Sequence, residues 1–155
     1  MVVKIFFLVY NKLYKKKDGN MERTYIMLKP DAHKRRIMGE IISRIEKKGY
    51  TITDMKMFNM TEKLVREHYG HLVDKPFYPE IESFMLSGPV VGMIVEGDEV
   101  VVGMRTLMGA TKWIDAAPGT IRGDYANATN TSANLIHGSD SVENAEIEIK
   151  RFFGK

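Results

Sequence analysis

The residues that most constrain this chain are 90–95, VVGMIV, a run without a single polar or charged side chain. Six apolar residues in a row cannot lie on a surface that is half wet. They predict a central strand covered on both faces. Residues 24–29, TYIMLK, read as a second strand, ended by Pro30. Residues 50–59 and 134–137 read as two more. Between them run helical patterns. Ile37, Ile41 and Ile45 recur every fourth residue and are followed by Lys47, Lys48 and Gly49, a basic last turn and a glycine stop. Leu64, Val65, His68 and Leu72 suggest a short helix, and residues 79–86 another, with Ile81, Phe84 and Met85 inward. Asp98 is expected to cap a helix carrying Val100, Val101, Met104 and Met108. Asp140, with Glu143 three residues on, is expected to open the last helix.

Within this order lies β-α-β-β-α-β. The fold class is therefore α+β, a ferredoxin-like antiparallel sheet with helices on one face. Residues 109–133, rich in Gly, Ala, Asn and Thr, show little periodicity and read as one long loop. Compact domains rarely keep such a loop unless it has a function.

The formal charge of +3 suggests a nucleic-acid binder until its distribution is examined. Residues 1–20 hold five lysines against one acid, while the rest carries 18 basic and 19 acidic side chains. The expected organisation is an extension over residues 1–20, weakly ordered, and one domain over 21–155. The domain has no bulk attraction for nucleic acid. The apolar stretch at residues 5–10 is too short to span a bilayer, so no membrane partner is expected. No cysteine is present, which excludes disulfides and thiol catalysis and fits a reducing compartment. P-loop, dinucleotide-binding, zincin and hydrolase-elbow motifs are all absent.

Four groups of residues could carry chemistry. His137 ends an apolar strand, precedes Gly138 and lies beside a helix N-terminus, whose partial positive charge favours phosphate and a neutral imidazole. A glycine there opens access, and Glu148 could orient the ring through its other nitrogen. The alternative is a structural histidine. Arg105, Thr111 and Arg122 flank or sit in the long loop, and guanidinium groups grip phosphate oxygens in pairs. Glycines on both sides of Arg122 would let backbone approach a ligand. The alternative is an arginine that pins the loop to a carboxylate such as Asp124. Lys29 stands at a sheet edge where ligands collect, or is an ordinary surface lysine. Phe77, between Pro76 and Pro79, is either core or a stacking platform. His33 reads as solvated. His68 and His71 read as surface or helix-packing residues, three apart but without an evident third metal ligand.

Several segments together, ERTYIMLKPDA (22–32), GEIISRIEKKG (39–49), EHY (67–69), DKPFY (74–78), SGPVV (87–91), PGTIRGD (118–124) and NLIHGSDS (134–141), closely resemble the nucleoside diphosphate kinase family. The resemblance covers about residues 22–153. It implies transfer of the γ-phosphate of ATP to nucleoside diphosphates through a phosphohistidine at His137. It also implies that Glu148 positions His137 and that Arg105, Thr111 and Arg122 hold phosphates. Lys29 and Asn134 would contact sugar hydroxyls and the moving phosphate. Phe77 would stack on the base, with Tyr69 packed near Lys29. Mg2+ would arrive with the nucleotide. A cytoplasmic homo-oligomer is implied, a hexamer favoured over a tetramer. The chain departs from the family pattern at Ala32-His33, at Lys112-Trp113, and by two extra residues between Arg122 and Asn134.

Overall fold

The computed structural model describes residues 21–127 and 132–155; the extension expected over 1–20 lies outside the described residues. Four strands, β1 (Met21–Leu28), β2 (Thr51–Phe58), β3 (Val90–Asp98) and β4 (Ile136–Gly138), form one sheet in the order β2-β3-β1-β4. All three pairings are antiparallel. This is the ferredoxin-like arrangement expected. The helices are α1 (Pro30–Lys34), α2 (Met38–Lys47), α3 (Glu62–His68), α4 (Tyr78–Met85), α5 (Val100–Met108), α6 (Ile121–Tyr125) and α7 (Val142–Phe153). Among the described residues, no helix is long and apolar enough to cross a membrane.

Helices on one face describes only the two crossover helices. α2 and α5 pack Ile41, Ile45, Met104 and Met108 against Ile26, Leu28, Met93 and Val95. The other face is covered as well, by Val65 of α3, Ile81 and Met85 of α4, and Ile149 and Phe152 of α7, against Tyr25, Met27 and Ile94. The apolar runs require it. Tyr25, Ile26, Met27 and Leu28 alternate between the two faces and all four are fully buried, which a half-wet sheet could not provide. Tyr25 and Phe152 stack with centroids 4.4 Å apart and planes nearly parallel, at 2°.

Both expected caps shift by one residue. β3 extends through Asp98, and Glu99 takes a left-handed conformation (φ 49°) at the start of α5 without a side-chain cap. Glu22, across the sheet, supplies the acceptor instead, its Oε2 taking the Val101 N–H at 3.3 Å. In α7 the cap is Ser141, whose Oγ accepts from Asn144 N at 3.1 Å, while Asp140 holds the Asn144 side chain. Cap positions answer to backbone dihedrals, which neighbouring acids in the sequence do not disclose.

The expected loop is only partly irregular. It contains a 3-10 turn, Trp113–Asp115, and α6, capped by Thr120 through Gly123 N. The glycines around Arg122 also set the local path of the chain. Gly119 turns the chain at φ +90°, and a Cβ on Gly123 would lie 1.9 Å from the Ala117 carbonyl oxygen. That obstacle is backbone and cannot rotate away. Gly123→Ala should therefore destabilise the protein by at least about 1–3 kcal/mol, the usual cost of overpacking. Urea unfolding of the two proteins checks this; equal midpoints would show that the loop moves aside freely.

Candidate active site

The site starts from a strained residue. Leu135, just before β4, has φ +73°, which an L side chain adopts only under constraint. Two hydrogen bonds supply that constraint. Its N–H donates to Asp31 Oδ2 at 3.1 Å, and its carbonyl accepts from Lys29 N at 2.9 Å. The strand that follows alternates. Ile136 and Gly138 face α5, and His137, paired with Met27, faces α7. Gly138 also has a packing role, because a Cβ there would meet Met108 Sδ at 2.7 Å.

His137 Nε2 lies 3.0 Å from both carboxylate oxygens of Glu148. A carboxylate only accepts, so Nε2 is the donor, and in the neutral ring the lone pair lies on Nδ1. Ser139 Oγ donates to Glu148 Oε2 at 2.5 Å. The Glu148 side chain is 12% exposed and that of His137 24%, so the pair is sheltered yet reachable.

One residue of this cluster escaped the sequence reading. His68 is buried at the end of α3, its ring edge-on to that of His137 with centroids 4.6 Å apart and planes at 82°. Burial, reinforced by His137 and Arg151, pushes its pKa down to about 2, so it is neutral. Its Nδ1, 3.7 Å from Glu148 Oε1, makes no ion pair there. The signal was available in the EHY segment, but a short helix with two histidines reads equally well as surface. His71 sits on a separate 3-10 turn, Gly70–Leu72, and is exposed, as is His33.

Basic side chains line the same cleft as His137. Lys29 is buried, with Nζ donating to Asn134 Oδ1 at 2.9 Å and to the Ser132 carbonyl at 3.2 Å. Asn134 passes the contact on, its Nδ2 donating to the Thr111 carbonyl at 3.3 Å. Burial, then Arg122, pushes Lys29 down to about 8, partly offset by Asp31. Arg122 is not paired with Asp124. It donates to three backbone carbonyls, of Asn134, Gly109 and Ile136, at 3.2, 2.9 and 2.5 Å. Burial and Arg105 lower it to about 10, still protonated at neutral pH. Asp124 instead pairs with Arg44 at 2.7 Å and accepts from Gly119 N. Arg105, in the last turn of α5, and Thr111 are exposed at the rim.

These groups line one cleft. A cavity of about 500 Å3 is walled by Lys29, Arg105, Thr111, Arg122, Asn134 and His137. It shares Lys29, Tyr69, Thr111 and Asn134 with an adjoining recess of about 510 Å3, floored by Ile81, Phe84 and Met85 and edged by Phe77. Phe77 is 48% exposed, which excludes the core reading. Tyr69 donates its hydroxyl to Met85 Sδ at 3.6 Å. The cleft is cationic at one end and apolar and aromatic at the other, the pattern a polyphosphate attached to a flat ring would fill.

His68, His137 and Glu148 are close enough together to suggest a metal. Arg151 Nη1, 3.4 Å from His68 Nδ1, sets a positive charge against one. Glu148 is also committed to His137 and Ser139. A hard cation such as Mg2+ prefers a set of oxygen ligands that this cluster lacks.

A sheltered imidazole that shares a cleft with buried cations is a geometry suited to phosphoryl transfer. Comparison with known proteins names the family. The family model described as nucleoside diphosphate kinase matches residues 22–155. The nucleoside diphosphate kinase of Acetivibrio thermocellus is 53% identical over 133 residues, covering 86% of this chain and 96% of its own. That of Exiguobacterium sibiricum is 52% identical, covering 86% and 95%. Among solved structures, the apo enzyme of Encephalitozoon cuniculi matches with a TM-score of 0.83 at 46% identity, covering 86% of this chain and 90% of its own. The enzyme of Halobacterium salinarum in complex with CDP matches with a TM-score of 0.82 at 46% identity, covering 86% and 88%. The chain belongs to the nucleoside diphosphate kinase family and is a phosphotransferase.

The lowered Lys29 predicts a proton linkage. In the free protein Lys29 loses its charge as pH rises through about 8. A bound polyphosphate favours the charged form and raises that value, so binding takes up protons above pH 8 and weakens as pH rises further. Titration calorimetry at pH 8.5 in buffers of different ionisation enthalpy should show net proton uptake, lost in Lys29→Met. Equal heats across buffers would refute the linkage.

Proposed function

We propose that the chain transfers the γ-phosphate of ATP, or of another nucleoside triphosphate, to a nucleoside diphosphate through phosphorylated His137. The observation that carries this is the Nε2–Glu148 hydrogen bond, which leaves Nδ1 as the attacking atom. The Nδ1 lone pair forms a bond to the γ-phosphorus. The bond from phosphorus to the β–γ bridging oxygen breaks, and the diphosphate leaves with that electron pair. The ring, now substituted at both nitrogens, gains positive charge. Glu148 stabilises that charge more in the transition state than before it, which is the condition for catalysis. Arg105 and Arg122 stabilise the transferring group, where most of the catalysis in phosphoryl transfer lies. Lys29, Thr111 and Asn134 hold phosphate and sugar. In the second half-reaction an oxygen of the acceptor diphosphate attacks, and the electron pair of the N–P bond returns to Nδ1. One nucleotide site serves both halves.

Mg2+ belongs to this proposal as a partner of the nucleotide, where it would neutralise phosphate charge. Phe77 would carry the base with Tyr69 beside it, and a stacking platform accepts any base. Synthesis of GTP, CTP and UTP from ATP follows. Residues 21–155 form the catalytic domain in this reading, and 1–20 an extension to it. We also place the enzyme in the cytoplasm as a homo-oligomer, a hexamer in preference to a tetramer. Supporting assembly are exposed apolar side chains that a lone copy would leave in water: Met55 and Met57 on edge strand β2, Val102 on α5, and Ile114.

Incubation with γ-labelled ATP should give an acid-labile phosphoprotein that GDP discharges. His137→Ala should lose the label while keeping nucleotide affinity; a labelled variant would move the phosphate to another residue. Arg122→Ala should slow turnover roughly 10²-fold. Because that guanidinium also holds three carbonyls, the variant should melt earlier too. Normal turnover in a destabilised variant would reduce Arg122 to an anchor.

A further inference from the structure

Arg151 lies three residues after Glu148 on α7, so the two side chains share a face of that helix. A guanidinium beside a carboxylate ordinarily closes a two-pronged ion pair. Here it does not. Arg151 Nη1 is directed to His68 Nδ1 at 3.4 Å. Glu148 gives both its oxygens to His137 Nε2, and Oε2 also to Ser139.

We propose that His68 is a positioning residue, whose Nδ1 takes the Arg151 N–H and keeps that guanidinium off Glu148, leaving the carboxylate to His137. The proposal rests on His137 as phosphate acceptor and Glu148 as its orienting group. An Arg151–Glu148 ion pair would divert the negative charge that the ring needs as Nδ1 bonds to phosphorus. It would also loosen the hydrogen bond that holds the proton on Nε2.

Three further observations support this. First, among the described residues the His68 side chain makes no other hydrogen bond: its Nε2 is buried without a partner there, an exception that calls for a functional reason. Second, the ring cannot move away. It is enclosed edge-on by Tyr69 at 4.7 Å, Phe152 at 5.2 Å and Tyr25 at 6.4 Å, besides His137. Third, only a neutral ring can accept. The titratable groups facing it are His137 from β4, Tyr25 from β1, Lys29 from the end of β1, Glu148 and Arg151 from α7, and Tyr69 and His71 from the adjoining turn. Burial among the cationic and basic members of that set holds the second proton off. A protonated Nδ1 could not accept from Arg151 and would instead present its proton to Glu148 Oε1, already 3.7 Å away, in competition with His137.

The test separates acceptor from ring. His68→Phe keeps a ring without Nδ1. His68→Asn keeps an acceptor near the same place without the ring. His68→Phe combined with Arg151→Leu removes both the acceptor and the group it restrains. The readouts are single-turnover labelling by γ-labelled ATP and the 15N spectrum of the His137 ring in nucleotide-free protein. In His68→Phe, labelling should slow on the order of tenfold with KM for ATP little changed, as expected of a misplaced reacting group. The His137 15N signals should move away from the Nε2–H form. His68→Asn and the double variant should each return labelling to within about threefold of the parent. A double variant as slow as His68→Phe, or His68→Phe as fast as the parent, would overturn the proposal. Should His68→Phe fail to fold by circular dichroism, His68→Leu replaces it in both the single and the double variant. A parent protein that takes no label would instead remove the His137 assignment, a separate result.

Discussion

Everything chemical in this structure depends on one carboxylate being free to do one thing. Glu148 accepts from His137 and Ser139 and so fixes which imidazole nitrogen is left facing away from it. The fold must hold its donors and acceptor in place from two elements. β4 is only three residues long and is located by its pairing with β1, Met27 opposite His137. α7 is located by Ala145, Ile149 and Phe152, which lie buried against the same face of the sheet. With Ile149 turned to the core, Glu148 beside it reaches the sheet edge. Burying β1 on both faces is thus what makes the hydrogen bond possible: a sheet covered on one side would have no α7 to supply the acid.

The same shelter sets the electrostatics. Lys29 and Arg122 are buried and close enough together for each to feel the charges around it, and both are shifted toward losing their protons. That arrangement costs stability in the empty protein and is relieved by an anion. It is the usual form of electrostatic preorganisation, in which dipoles and charges are aimed before substrate arrives and need not reorganise during the reaction. His68 is the counterexample within the cluster, a base kept neutral in a cationic region. Its value lies in remaining an acceptor.

Where the sequence was legible, periodicity carried the information. The apolar runs at 24–28 and 90–95 are the two central strands, and Ile41 and Ile45 mark the buried face of α2. The site was legible where residue type and position coincide: His137, Glu148, Lys29, Asn134 and Arg122 do converge on one cleft. What stayed hidden was set by backbone geometry or by contacts distant in sequence. Nothing local reveals that Leu135 adopts φ +73°, that Glu22 serves α5 from across the sheet, or that Arg122 binds carbonyls while Asp124 binds Arg44. The packing of glycines was hidden for the same reason: Gly123 and Gly138 are also close contacts with Ala117 and Met108. His68 was hidden because its partners come from β4 and α7, some seventy to eighty residues away.

Arg122 joins the architecture to the chemistry. Its donors reach Gly109 at one end of the loop and Asn134 and Ile136 at the other. The guanidinium that lines the cleft therefore also closes the loop that carries Thr111. Extra residues between two ends anchored in this way cost little, because loop-closure entropy grows only with the logarithm of length, roughly 0.6 kcal/mol for a doubling. The additional residues between Arg122 and Asn134 are tolerable on that ground, since the carbonyls that Arg122 binds lie at or beyond the loop's ends. Removing the guanidinium differs in kind from lengthening the loop: it takes away the charge and the closure together, and no change in loop length can replace either.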